Sequence, residues 1–164
     1  MVLTPHLLAG AAIGAKTHNL GLIVVLGLLS HLVLDRIAHW DYPNAGLSNY
    51  RQEKNLKNLF IEFTKIVIDG IIGLTVIWII SFWKKDLLEI KNIFSMLIGV
   101  FFATLPDISL LFSYLILPEK ISEKLVNFHH SFFHYKRPEK DKDKPLGLFL
   151  EILMVFLIIL VFFF

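Results

Sequence analysis

Long apolar runs alternate with short polar breaks along this chain, and the run lengths predict helices. Thr4-Pro5 opens the first run with a capping hydroxyl and a proline at the first helical position, so a helix is expected to about Ala15. Such a helix is too short to cross a bilayer easily and reads as re-entrant or as a short span. A polar turn at 16–19 precedes a second helix over Leu20 to Trp40, which leaves the apolar phase through Trp40-Asp41-Tyr42 and a loop at 43–46. Residues 47–57 are polar and basic and predict an interfacial helix. A third helix is expected from about Leu59 to Trp83, and a fourth from about Ile93 to Leu117 after a charged turn. Within the fourth, Leu105-Pro106-Asp107 predicts a proline break. A polar segment, Glu119 to Lys144, leads to a last span over Pro145 to Phe164. No internal repeat stands out. The expectation is an all-α polytopic membrane bundle of about four to five transmembrane or re-entrant helices, with residues 1–164 forming one domain.

Composition strengthens that reading. The chain is 55% hydrophobic with 15 Phe, and its mean hydropathy of +0.66 exceeds what a water-soluble core of this size requires. Cysteine is absent, which excludes disulfides and thiolate ligation and leaves His, Asp and Glu to hold any metal. No signal peptide is expected, because the N-terminus lacks a basic lead and His6 interrupts the first apolar stretch. The net charge of +2 matters less than its placement. If the helices from residue 20 onward alternate across the bilayer, segments 36–65 and 118–144 share one side and carry most of the Lys and Arg. The positive-inside rule makes that side cytoplasmic in a cell membrane. A basic face also suits anionic lipid headgroups, so membrane lipids are the expected partners and no nucleic acid is expected.

Candidate chemistry centres on Ser30 to Tyr42, where His31, Asp35 and His39 recur every fourth residue. In a helix they fall within roughly 80° of one face. Two imidazoles and a carboxylate in register make a set of ligands for zinc or its first-row neighbours. Other ionisable groups fall toward the same basic side: His6, Asp69, Asp107, Glu151, and His129, His130 and His134 in the run FHHSFFHY. Charges in a bilayer cost at least about 2.5–3.5 kcal/mol each unless paired or coordinated. Several acids at one depth, without as many buried bases, call for a cation. Each group also has a plainer role: Asp69 can pair with Lys65, Asp107 can satisfy backbone freed by Pro106, and Glu151 suits a helix N-terminus. On helical geometry His130 and His134 share a face and His129 points away.

The residues Thr4-Pro5-His6-Leu7-Leu8, the box HLVLD at 31–35, Leu105-Pro106-Asp107 and HHSFFH at 129–134 resemble the YdjM-type family of predicted membrane-bound metal-dependent hydrolases. That family is similar in turn to the zinc-dependent phospholipase C and single-strand nuclease superfamily, whose members are helical proteins with clustered His/Asp sites. The resemblance runs through short motifs and implies His6, Asp107, His129 with His134, and His31 with Asp35 as ligands. The motif order is rearranged here: the HxxxD box comes second, Ser109 stands in place of the second acid of an LPDxD box, and His130-Ser131 replaces an Arg-Gly pair.

Together these features lead to the expectation of a membrane-embedded hydrolase that binds a divalent metal, zinc foremost with manganese or iron as alternatives. The metal set is His6, His31, Asp35, His39, Asp69, Asp107, His129, His130 and His134. Asp41 or Glu151 would serve as general base, and Arg36, Lys136 or Arg137 as phosphate contacts. The expected substrate is lipid-like or phosphorylated, cleaved at a phosphoester bond. Two other classes share these signatures: an ion or proton relay, and a non-enzymatic membrane protein with a structural metal.

Overall fold

The computed structural model describes residues 3–37, 39, 55–133 and 144–164, with the side chains of His130, Phe132, Phe133 and Lys144 excepted. The expected loop at 43–46, the interfacial helix up to residue 54, Asp41 and His134 lie outside the described residues. Those residues form six α-helices and one 3₁₀ turn, with no strand among them. The helices are α1 (Leu3–Lys16), α2 (Leu20–Arg36), α3 (Leu56–Trp83), α4 (Ile90–Ile116), α5 (Glu119–Phe133) and α6 (Lys144–Phe163), and the turn is Lys85–Leu88. The all-α expectation holds.

Three of these helices, α3, α4 and α6, are long and apolar enough to cross a membrane. Their side chains are distributed for lipid rather than water. Trp78 is 65% exposed and Phe149 62% exposed, and Phe82, Ile152 and Phe156 also face outward, while His6, His31, Asp35, Glu62, Asn92 and Glu151 are buried. Polar groups inside and large apolar groups outside are the arrangement of a membrane protein.

The short first helix turns out to be the axis of the bundle. At 14 residues α1 extends about 21 Å, less than the ~30 Å hydrocarbon core. It carries no polar face, and Thr4 to Ala12 and Gly14 are all buried. A helix apolar all round belongs in the interior, and α1 packs on α2, α3, α4 and α6. Its C-terminal half joins Ile80, Leu87, Met96 and Phe162 in one apolar cluster. Lys84 closes that end of the bundle by donating to the Phe162 carbonyl at 2.7 Å, satisfying a C-terminal acceptor of α6.

Asn19 caps α2 by accepting from the Leu22 amide at 3.2 Å, and Asn55 caps α3 by accepting from Lys57 at 3.0 Å. Two expected boundaries move. The second helix stops at Arg36 rather than Trp40, because Ile37 turns to extended backbone at φ −81° and ψ 142°. The break expected at Pro106 does not occur, and α4 runs through it. Proline removes the amide that would serve the carbonyl four residues back, here Phe102, and membrane helices tolerate this; other carbonyls of the same turn accept side-chain donors from α2 and α4. Thr104 Oγ1 donates to Val100 O at 2.9 Å and His31 donates to Ala103 O.

The α1–α4 crossing is a backbone contact. A Cβ on Gly99 would lie 2.0 Å from the Gly10 carbonyl oxygen, and one on Gly14 would lie 2.2 Å from the Ser95 carbonyl oxygen. Between lipid-solvated helices, close approach of small residues is the main source of packing energy. Gly99→Ala is therefore expected to destabilise the protein by at least ~3 kcal/mol, the upper end of core overpacking. Gly21→Ala, whose Cβ meets only Asn19 Oδ1 at 3.4 Å, is expected to be neutral or up to ~1 kcal/mol stabilising through helix propensity. Thermal unfolding of both variants in detergent checks the pair, and equal shifts would remove the crossing as a determinant of stability.

Candidate metal centre

His6 lies in the first turn of α1, and His31 and Asp35 occupy one face of the last turns of α2. The fold brings the three together in full burial: both imidazoles are 0% exposed and Asp35 is 1% exposed. His6 Nε2 stands 3.3 Å from Asp35 Oδ1, and His31 Nε2 stands 3.2 Å from Asp35 Oδ2. The two rings stack with centroids 4.3 Å apart. Ligand atoms from all three lie within 4.8 Å of one another. With metal–ligand bonds of ~2.0–2.1 Å, the edge of a tetrahedral site is about 3.3 Å.

Orientation of the donors matters as much as distance. His31 Nδ1–H donates to the Ala103 carbonyl at 2.9 Å. A carbonyl only accepts, so this bond fixes the proton on Nδ1 and presents Nε2 toward Asp35, as the outer hydrogen bond of a metal-bound imidazole does. Apart from these approaches to Asp35, neither nitrogen of His6 nor Nε2 of His31 has a hydrogen-bond partner among the described residues.

Two further groups border the centre. Asp107 of α4 places Oδ1 3.8 Å from His31 Nε2 and is the one about a third exposed. His129, buried on α5, places Nε2 4.0 Å from Asp35 Oδ2, with its ring 5.7 Å from that of His31. Two imidazoles and a carboxylate with converging donor atoms form a set that could hold a metal ion.

The remaining expected ligands are placed elsewhere. His39 follows the end of α2, so its four-residue register with Asp35 is lost. It is buried, and its Nδ1–H donates to Ile37 O at 2.6 Å. Asp69 instead receives the N-terminus of α1. Its carboxylate accepts from the Leu3 amide, from the Thr4 amide at 3.3 Å and from the Thr4 hydroxyl at 2.6 Å. The expected capping role of Thr4 is thereby reversed, since it donates to a cap supplied by α3. Lys65, the plainer alternative partner for Asp69, pairs with Glu62 at 2.8 Å. Glu151 is buried on α6, one turn before Met154, which packs with Ala9 and Leu34. His130 has a described backbone on α5 but no described side chain, and Asp41 and His134 lie outside the described residues. Sequence reasoning missed the Ala103 anchor and the Asp69 cap; the cap had one signal, a first turn in α1 without an acidic residue of its own.

The two kinds of acid should separate experimentally. Asp69→Ala removes a cap and is expected to cost ~1–2 kcal/mol of stability while leaving bound metal unchanged. Asp35→Asn is expected to abolish metal binding with a smaller change in unfolding temperature. Elemental mass spectrometry beside thermal unfolding tests this, and loss of metal in Asp69→Ala with retention in Asp35→Asn would reverse the assignment.

Comparison with protein-family models, with curated proteins and with solved structures returns no match for this chain.

Proposed function

We propose that this protein is a membrane-embedded metal-dependent hydrolase, acting on phosphoester bonds in a lipid-like substrate. The observation that carries the reading is the buried centre in which His6 and His31 both aim Nε2 at Asp35 inside an apolar bundle. A group this polar is costly in such surroundings unless a cation organises it. His6, His31 and Asp35 would hold the metal, zinc foremost and manganese or iron as alternatives. A divalent cation there lowers the pKa of a water toward neutrality and polarises a phosphoryl oxygen. Asp107, beside His31 and about a third exposed, stands where substrate can enter and is positioned to take a proton from that water. His129 borders the same carboxylate and is suited to a developing negative charge or to a further ligand position.

The resemblance of His6, the box at 31–35, Leu105-Pro106-Asp107 and His129 to YdjM-type motifs supports the same reading, since the motifs supply groups that the fold gathers. The concentration of Lys and Arg in segments 36–65 and 118–144 supports an orientation with the centre toward the cytoplasmic face of the cell membrane by the positive-inside rule. Membrane lipids would then be both solvent and source of substrate.

The protein purified in detergent is expected to carry about one equivalent of metal, lost in His6→Ala and His31→Ala. Hydrolysis of phosphatidic acid or a lysophospholipid is expected to fall at least ~10³-fold in both, consistent with losing the group that activates water. Metal without turnover across a phosphatase and phospholipase panel would make the metal structural. No metal after reconstitution with zinc, manganese or iron would overturn the hydrolase and leave a proton relay as the use of the centre.

A further inference from the structure

Beyond the N-terminus of α1, helices α3 and α4 continue with nothing from α1 between them. Asp69, which receives that N-terminus, is followed toward the start of α3 by Ile66 and Glu62 on the same face, at i−3 and i−7. On α4, Asp107 is followed by Leu111 and Leu115 at i+4 and i+8. The space between these two faces is a groove of about 370 Å³, lined chiefly by Leu59, Phe60, Phe63, Ile66, Leu111 and Leu115. Its size falls within the range of small-molecule sites, ~300–1,000 Å³. One carboxylate, Glu62, lines it, and Lys65 neutralises that group at 2.8 Å. The groove therefore offers an occupant apolar contact and no net charge. One wall of it continues along α4 from Asp107, which borders His31, because Leu111 and Leu115 follow Asp107 at i+4 and i+8 on one helical face.

We propose that this groove seats the hydrocarbon chain of a phosphorylated lipid whose ester is held at the centre beside Asp107. The proposal rests on the hydrolase reading and deepens it by naming the part of the substrate that is recognised. A chain is favoured over a polar ligand because the walls offer no unpaired donor to it. Both walls belong to helices long and apolar enough to cross a membrane, where hydrocarbon is the available solute. A tail held along Leu111 and Leu115 would fix the ester next to Asp107, so tail binding would contribute to positioning as well as affinity.

The test uses the full-length protein in phosphatidylcholine vesicles containing phosphatidic acid with a diazirine midway along one acyl chain. After photolysis, labelled positions are read by peptide mass spectrometry. Labelling at Leu59, Ile66 and Leu111, which line the groove and are only partly exposed, is expected to exceed that at the outward-facing Phe149 and Phe156 by at least tenfold. Excess unlabelled phosphatidic acid should abolish the excess, and excess phosphatidylcholine should not. Leu111→Trp should remove the groove label while the α6 label persists, and Leu115→Trp repeats the test if the first variant does not fold. Even labelling, competition by any lipid, or groove label unchanged in both folded variants would overturn the proposal. Bound metal without selective labelling would remove the groove and leave the centre. Selective labelling in a protein that binds no metal would remove the hydrolase reading and leave a lipid site.

Discussion

The constraint on which the structure depends is the backbone contact between α1 and α4. The two helices run antiparallel with Gly14 against Ser95 and Gly10 against Gly99, so each helical turn along α1 matches one turn back along α4. Extending the register by one turn sets His6 at the level of Ala103, whose carbonyl anchors His31. Gly27 of α2 meets the same stretch of α4, with its would-be Cβ 3.1 Å from Phe102 Cβ and 3.4 Å from the Ala103 amide nitrogen. His31 and Asp35 follow one and two turns later. Small residues thus do more than permit close packing. They fix the height of three side chains from two helices, and a shift of one residue would rotate His6 by about 100° away from Asp35.

Burying charged groups in such a bundle requires each to be neutralised where it stands. Glu62 has Lys65. Asp69 has the first-turn amides of α1 and the positive end of that helix. Both acids therefore have protein partners. What distinguishes Asp35 is geometry, since it lies between the Nε2 atoms of His6 and His31, whereas acids counted along a sequence carry no geometry.

Much of this was legible in the chain. Apolar runs bounded by polar turns gave the helices, because helix length in lipid is dictated by hydrophobic length. His31 and Asp35 were legible as a pair because an i, i+4 relation within one helix is local. His39 was misplaced for the complementary reason: the same spacing means nothing once Ile37 leaves the helix. Pro106 suggested a break because a proline removes one amide, yet α4 runs through it, at the cost of a single bond to the Phe102 carbonyl. The role of Asp69 was hidden, since its partners Leu3 and Thr4 belong to another helix and its local neighbour Lys65 offered a false match. What the sequence could not show for Asp69 was a tertiary partner.

The last helix of the centre illustrates how one short element can satisfy three surroundings. Around α5, Ile121, Leu125 and Phe128 form an exposed apolar stripe at i, i+4 and i+7. Ser122 and His129, also seven apart, form the buried side toward the bundle. Glu119, Lys120, Glu123, Lys124 and Asn127 occupy the rest and are exposed. An exposed apolar stripe beside a charged face is the pattern of a helix lying at a membrane interface. The stripe and the His129 side are about 90° apart, so lipid contact and contact with the centre do not compete for the same residues. A helix seated in this way holds His129 against Asp35 from the polar edge of the bundle, and the centre is then closed by an element whose position the membrane surface itself helps to set.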